Sequence, residues 1–386
     1  MIYKVSDNII SVLGFSSSEN YQAVKEGKTG LRCYEQGFGL PEMFVASLLD
    51  EEKLNDAFFD LPQTTKIKYT KLEKAAILSI YQALAHTDIN PSDDEVLYVF
   101  STTKGNIELL DENNNDYEHQ RVYLWRSAQL IAEYFGNRNQ PLVVSNACIS
   151  GVSAQIAAVR YLMAGRYKYA IVTGAEMLSK FIISGFQSFK ALSKQICKPF
   201  DKYRTGLNLG EAAATIIYAS AEQDIIHKDT LIYENGAVCN DANHISGPSR
   251  TGEGLFNAIT KTIKGMNKND ISFINAHGTA TPYNDDMESV AIGRAELENI
   301  PVNSLKAYFG HTLGAAGILE TIISAEALQD NVILKSLGCD ELGVAASLCV
   351  NRNVTASCKN KFLKLMSGFG GSNAAIVLSK YISQNV

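Results

Sequence analysis

The sequence predicts an α/β protein built from two related halves, and three observations carry that prediction. Strand-like apolar runs alternate with amphipathic or alanine-rich helical runs along the chain. The length, 386 residues, suffices for two or three domains or one large layered unit. The chain also resembles itself: LVVSNAC (142–148) and ISFINAH (271–277) are each an apolar strand ending in Asn-Ala and then a chemically capable residue. GEAAATIIY (210–218) and GGSNAAIVL (370–378) each place a glycine turn before Ala-Ala and a β-branched run. Two short matches in the same order are within reach of chance. The alternative is a duplicated unit, divided into 1–222 and 223–386, whose paired strand ends bring Cys148 and His277 to a shared site.

In chain order, KIKYTKLEK (66–74) opens a helical run and VLYVF (96–100) reads as a strand. DENNNDYEHQ (111–120), the most polar stretch, reads as an exposed loop. PLVVSNA (141–147) is a strand. The segment after Cys148 is a helix with apolar residues at Val152, Ile156, Val159 and Met163, stopped by Gly165. YAIVTGA (169–175), ISFINA (271–276) and AAIVLSK (374–380) are further strands, and GILETIISAEALQ (317–329) a further helix.

Composition narrows the function classes. A net charge of −6 argues against a nucleic-acid protein held by a global basic field. No apolar run approaches the ~20 residues that span a bilayer, and the N-terminus has no charged segment followed by a long apolar one. A cytoplasmic protein is expected. The seven cysteines include no CxxC and no Cys/His cluster at zinc-ligand spacing, so reduced thiols are expected and no metal.

Cys148 sits at a strand-to-helix junction, where helix N-terminal amides favour thiolate and can serve an oxyanion. Cysteine is also among the most often buried residues, and a structural thiol is the other reading. Two of the six histidines bear on the choice, His277 in NAHGTATPYND and His311 in KAYFGHTLGAAG, both in Gly/Thr-rich turns after apolar runs. Lys306, five positions before His311, could tune that imidazole or fix a carboxylate; Glu320, on the following helix, could pair with it. An exposed lysine and an exposed helical glutamate are the alternatives.

NACISG, PFDKYRTGLNLGEAA, NDANHISGP, NAHGTATPYND, KAYFGHTLGAAGILE and GFGGSNAAIVL resemble, in order and spacing, the signature blocks of the β-ketoacyl-acyl-carrier-protein synthases. The similarity runs from SVLGF and GKTGL near the N-terminus to the GFGG turn. It implies a thiolase fold, two pseudo-repeated halves in five layers (α-β-α-β-α), and decarboxylative Claisen condensation of an acyl thioester with malonyl-carrier thioester. By resemblance, Cys148 is the acyl-accepting nucleophile, and His277 and His311 donate hydrogen bonds to the malonyl thioester carbonyl. Lys306 paired with Glu320 orients the His311 turn. Thr279 and Thr281 match positions that hold the phosphopantetheine arm. Phe369 matches a gating phenylalanine whose amide joins that of Cys148 in the oxyanion hole. Gly370 and Gly371 complete that loop, while Asp241 and His244 fall in a second gating loop. No cofactor is implied beyond the phosphopantetheine that carries the substrates. The implied partners are an acyl carrier protein and a second copy of the chain, with a related synthase as the alternative second subunit.

The chain departs from the family pattern at several points. LMS precedes the GFGG turn where Asn-Ser-Phe is usual, so Ser367 replaces a bulky aromatic; RTG stands for RDG; and STTKGNIE (101–108) stands where a Gly-rich turn is normal. These leave the chemistry and open the acyl substrate, which could belong to fatty-acid synthesis or to a specialised polyene or polyketide-like chain. Two further readings use the same fold: a non-condensing chain-length-factor-like partner, and a starter-unit acyltransferase. Lys66, Lys68, Lys71 and Lys74 form a local basic cluster in a net acidic chain. They are expected to dock an acidic carrier protein, a solvated helix face being the alternative.

Overall fold

The computed structural model describes residues 1–62, 66–110, 116–220, 230–244 and 247–381. Its main sheet has ten strands: β1 (Tyr3–Ser11), β2 (Val96–Ser101), β3 (Leu142–Val144), β4 (Tyr169–Glu176), β5 (Ala212–Ala219), β6 (Leu231–Asn240), β7 (Ile271–Asn275), β8 (Val302–Asn303), β9 (Lys361–Gly368) and β10 (Ser372–Lys380). Their order is β8-β7-β9-β10-β6-β1-β5-β4-β2-β3. From the β1–β6 seam outward, the first half runs 1-5-4-2-3 and the second 6-10-9-7-8, the same sequence of strands displaced by five. The seam itself is short, pairing Tyr3 with Ile232 and Lys4 with Leu231.

Each half carries helices on its outer face. Helices α1 (Lys71–Leu84) and α2 (Leu124–Tyr134) cover the first, α4 (Glu253–Thr262) and α5 (Pro282–Arg294) the second. Between the halves lie α3 (Ser150–Met163) and α6 (Ala316–Gln329), each packed on strands of both halves and on the other. Three large apolar cores follow, beside a small cluster of Leu31, Val45, Cys197, Ala280 and Ala307. One surrounds α3 and α6, and the other two separate each half-sheet from its outer helices. This is the five-layered thiolase architecture.

Local chemistry explains these elements. Thr70 caps α1 in a reciprocal box with Glu73. Helix α6 has nearly every residue buried because it is enclosed on all sides, so its sequence lacks a polar face. Helix α3 buries Val152, Ile156 and Val159 as the apolar spacing predicts, and Gly165 follows it with φ +66°. Met163, read as the last residue of that stripe, is exposed. Residues 116–120 are largely exposed as expected; 111–115 lie outside the described residues, as does the 222/223 division.

The self-resemblance needs one correction. GEAAATIIY and GGSNAAIVL form β5 and β10, which occupy matching places in the two halves. LVVSNAC and ISFINAH do not match: the first contains β3 and the second β7, and the counterpart of β3 is β8. The repeat therefore relates the approach to Cys148 to the approach to His311. Ala147 (φ +45°) and Leu313 (φ +46°), both non-glycine residues in the left-handed region, each lie three residues before the first residue of a central helix. Asn-Ala-Cys and Asn-Ala-His both follow strands and lead to one site.

Candidate active site

The two central helices meet at their N-termini through glycine. A β-carbon on Gly151 would lie 2.9 Å from the Ile318 nitrogen, and one on Gly317 would lie 2.5 Å from the Val152 nitrogen. Gln155 Nε2 also donates to the Gly317 carbonyl at 3.1 Å. Cys148 and His311 stand just before these helices and are carried together by that contact. His277 reaches the same point from the end of β7.

The Cys148 sulfur and one ring nitrogen from each of His277 and His311 all lie within 4.8 Å of one another. The two imidazoles meet edge to face, centroids 5.0 Å apart. Three of their four ring nitrogens (His277 Nδ1, His311 Nδ1 and Nε2) are buried without a hydrogen-bond partner. Groups of this kind normally find partners in folded proteins, so their vacancy marks a place where a ligand oxygen can accept hydrogen bonds. Burial, followed by the charge of Lys306, holds both imidazoles well below the ordinary histidine range, so each is neutral and has one N–H to donate. The Cys–His₂ cluster also has the donor types of a metal site. The uncharged histidines beside a protonated thiol suit the organic chemistry at least as well, and no metal is needed to explain the geometry.

Cys148 is buried, and burial pushes its thiol up to about 11. Lys306 and the amide of Phe369 pull the other way without reversing it. Thiolate favoured by the helix N-terminus, as expected from the junction alone, is therefore overruled by desolvation. Gly368 lets Phe369 come close, since a β-carbon there would sit 3.1 Å from the Cys148 nitrogen.

The backbone under each histidine is held by residues whose roles were not among the sequence-based expectations. Glu288 on α5 accepts the N–H of His277 at 2.7 Å and of Gly278 at 2.6 Å, and burial raises its carboxyl to about 7. Its signal was available: Asp285 and Glu288, three apart, share one buried face of a helix that starts beside the His277 turn. The His311 N–H donates to the Asn208 carbonyl at 2.7 Å. Glu176 accepts N–H groups from Thr103 at 2.8 Å and Gly314 at 2.9 Å, joining the unusual STTKG turn to the end of the His311 turn. Lys306 is fully buried and paired with Glu320 as expected, but Glu320 carries a second fully buried lysine, Lys364, at 2.5 Å. A lysine inside the apolar strand FLKLM was the visible sign.

A cleft of about 490 Å³ leads to this cluster, with Thr279, Thr281, Asp241, His244, Gly370 and Gly371 among its lining residues. Thr279 and Thr281 share a hydroxyl hydrogen bond of 2.8 Å. The two loops expected to gate the site touch: the Asp241 N–H donates to the Gly371 carbonyl at 2.9 Å. A β-carbon on Gly371 would lie 2.2 Å from Asp241 Oδ1, so the contact requires glycine. Phe369 packs on Phe186 and Phe189, with ring centroids 5.9 and 5.5 Å away.

The lysine cluster on 66–74 is less free than its sequence suggests. Lys71 pairs with buried Glu211 at 2.6 Å and Lys74 bonds Asn55 at 2.7 Å. Lys66 is exposed, and Lys68 reaches the exposed Asp116 at 2.5 Å. None of the four lines the cleft.

Comparison with known proteins agrees in sequence and in fold. The family described as "Beta-ketoacyl synthase, N-terminal domain" matches residues 33–224 and "Beta-ketoacyl synthase, C-terminal domain" residues 231–340. The chain is 32% identical over 262 residues to "3-oxoacyl-[acyl-carrier-protein] synthase 2" of Rhizobium meliloti (strain 1021), covering 62% of this chain and 60% of that protein. It is 31% identical over 258 residues to the Coxiella burnetii protein of the same name, covering 61% of each. The alignment thus spans about three fifths of these relatives. Among solved structures, a ketosynthase in complex with its chain length factor from Xenorhabdus doucetiae superposes with TM-score 0.86 at 23% identity over 98% of both chains. A beta-ketoacyl synthase from Burkholderia phymatum STM815 gives 0.86 at 22% identity over 99% of both.

Proposed function

We propose, for a chain that belongs to the β-ketoacyl synthase family, that it elongates acyl chains by decarboxylative Claisen condensation at Cys148, His277 and His311. The observation that carries this reading is the convergence of one thiol and two neutral imidazoles within 4.8 Å, with three ring nitrogens free for a ligand. A strong base would call for a charged or carboxylate partner on the imidazoles, and none of the described hydrogen bonds supplies one. Donors to a developing oxyanion are what remain.

In the first half-reaction Cys148 Sγ attacks the carbonyl carbon of an acyl thioester. The oxyanion is held by the amides of Cys148 and Phe369, and the carrier thiol leaves with the proton that the cysteine gives up. Splitting the two-substrate reaction at a covalent acyl-enzyme makes each step easier. In the second, a malonyl thioester enters the emptied cleft. Its carboxylate leaves as CO₂, the bonding electrons forming an enolate whose oxygen accepts hydrogen bonds from His277 and His311. The enolate carbon attacks the acyl-Cys148 carbonyl, forming the new C–C bond as the C–S bond breaks, and Cys148 departs as thiolate and takes up a proton from solvent. Lys306 and Glu320 orient the His311 turn, Thr279 and Thr281 hold the pantetheine arm, and the Phe369–Gly371 and Asp241–His244 loops gate entry.

The partner proposed to present both substrates is an acyl carrier protein, with Lys66 and Lys68 as the exposed members of a docking surface that includes Lys71. We take the chain as two halves, 1–222 and 223–386, and as a homodimer, for which the sheet offers an edge to pair. The Xenorhabdus ketosynthase is paired with a chain length factor, so sedimentation of this chain alone tests the dimer, and a monomer at micromolar concentration would leave only a heterodimer. Among the described residues no helix is long and apolar enough to cross a membrane; a cytoplasmic setting is part of this proposal. The reaction is tested by the mass of the intact product on its carrier after incubation with acyl and malonyl carriers. A gain of two carbons supports it, whereas acyl transfer with no new C–C bond sinks it.

A further inference from the structure

We propose that Lys364 is a positioning residue that places an additional buried positive charge behind His277 and His311, favouring negative charge on the oxygen these imidazoles hold. This rests on the condensing role proposed above. Lys364 projects from β9 opposite Asn275 of β7, two residues before His277. Its Nζ lies 2.5 Å from Glu320 Oε2 and 3.5 Å from the Ala276 carbonyl. The other oxygen of Glu320 is taken by Lys306. Both lysines are fully buried.

One carboxylate shared by two ammonium groups leaves one positive charge with no hydrogen-bonded carboxylate of its own in a desolvated place. Packing alone would favour an apolar residue at 364, since a second buried cation on a carboxylate already paired is costly. The groups facing Lys364 are Glu320 from α6, Lys306 from the turn before His311, Glu288 from α5, and the two imidazoles. Burial, against the pull of Glu320, brings the Lys364 ammonium down to about 8. Lys364 also adds to the forces that keep both imidazoles uncharged. The sign is then determined. Below about pH 8 the charge is present and favours enolate; above it the charge is lost.

The test uses the intact protein with Lys364→Met and Lys364→Gln. Methionine removes charge and hydrogen bond, and glutamine keeps a donor to Glu320 without charge. Because Lys306–Glu320 remains as a paired ion couple, both variants should melt at or above the wild-type temperature. The wild-type rate of malonyl-thioester decarboxylation should exceed that of both variants by about tenfold at pH 6.5, a smaller effect than the loss of a direct oxyanion donor. That ratio should shrink towards one above pH 9, with KM changing far less than kcat. NMR titration of the side chains should show the His277 and His311 imidazoles moving up in both variants. A ratio that does not vary with pH, together with unmoved imidazoles, overturns the proposal. If glutamine restores the wild-type rate, the hydrogen bond matters and the charge does not, which also overturns it. Should the wild type fail to decarboxylate malonyl thioesters, the condensing reading falls, and the imidazole titrations alone decide the role of the Lys364 charge.

Discussion

Gly151 and Gly317 touch across the pseudo-repeat, each the second residue of its central helix and each lying where a β-carbon would strike the other helix's backbone. The contact sets how near Cys148 and His311 can come. Gly317→Ala must push the helices apart, because the Val152 nitrogen is backbone and cannot rotate away. We expect about 2 kcal/mol of destabilisation and a fall in condensation larger than the fall in folded fraction. Denaturant melts alongside turnover check this; unchanged activity in the folded variant would separate the glycine contact from the site's geometry.

Cys148→Ala should abolish acyl transfer and leave the fold intact, since the small buried thiol is replaced by a slightly smaller group. Its reactivity should depend on the reagent. Cys33, Cys349 and Cys358 are exposed whereas Cys148 is buried with a raised thiol, so iodoacetamide at neutral pH should label those three first. A substrate-shaped acyl thioester should modify Cys148 alone, faster as pH rises. Peptide mass mapping after each reagent distinguishes the sites; acyl label on an exposed cysteine would remove Cys148 as nucleophile.

His277→Ala and His311→Ala should lose malonyl decarboxylation by about 10²–10³, the scale of a missing oxyanion donor, and lose self-acylation of Cys148 much less. Single-turnover measurement of each half-reaction reads the difference. Equal losses in both would mean that the histidines do not act on the enolate.

For carrier docking, Lys66→Glu/Lys68→Glu is the informative variant, because Lys71 is tied to Glu211 and its reversal would disturb the interior. The double variant should raise KM for carrier-bound substrate severalfold, less so as salt rises. Self-acylation from a small N-acetylcysteamine thioester should be unchanged. Equal loss with both substrates would point to a damaged fold, and no loss with either would move the docking surface elsewhere.

Much of the molecule was legible in one dimension. The alternation of strands and helices identified the α/β class, and the family resemblance implied its five layers. The glycine-bounded turns around His277 and His311, and the strand-to-helix junction at Cys148, picked out residues that the structure brings within 4.8 Å. Local rules suffice there, because turns, caps and strand exits are set by neighbouring residues. The short self-matches paired β5 with β10 rightly but paired the Cys148 exit with the wrong strand, since a few shared letters cannot register a repeat whose halves have diverged.

What tertiary structure decided is everything that depends on desolvation or on partners distant along the chain. The thiol of Cys148 is raised and both imidazoles are lowered because packing removes water from them, whatever their flanking residues. Glu288 steadies the His277 turn, Lys71 turns inward to Glu211, and Lys364 meets Glu320 from 44 positions away. A lysine reads the same in sequence whether it faces solvent or a buried carboxylate. Only the fold, by choosing which charges lose their water and which find a counter-charge, separates the exposed Lys66 from the enclosed Lys364.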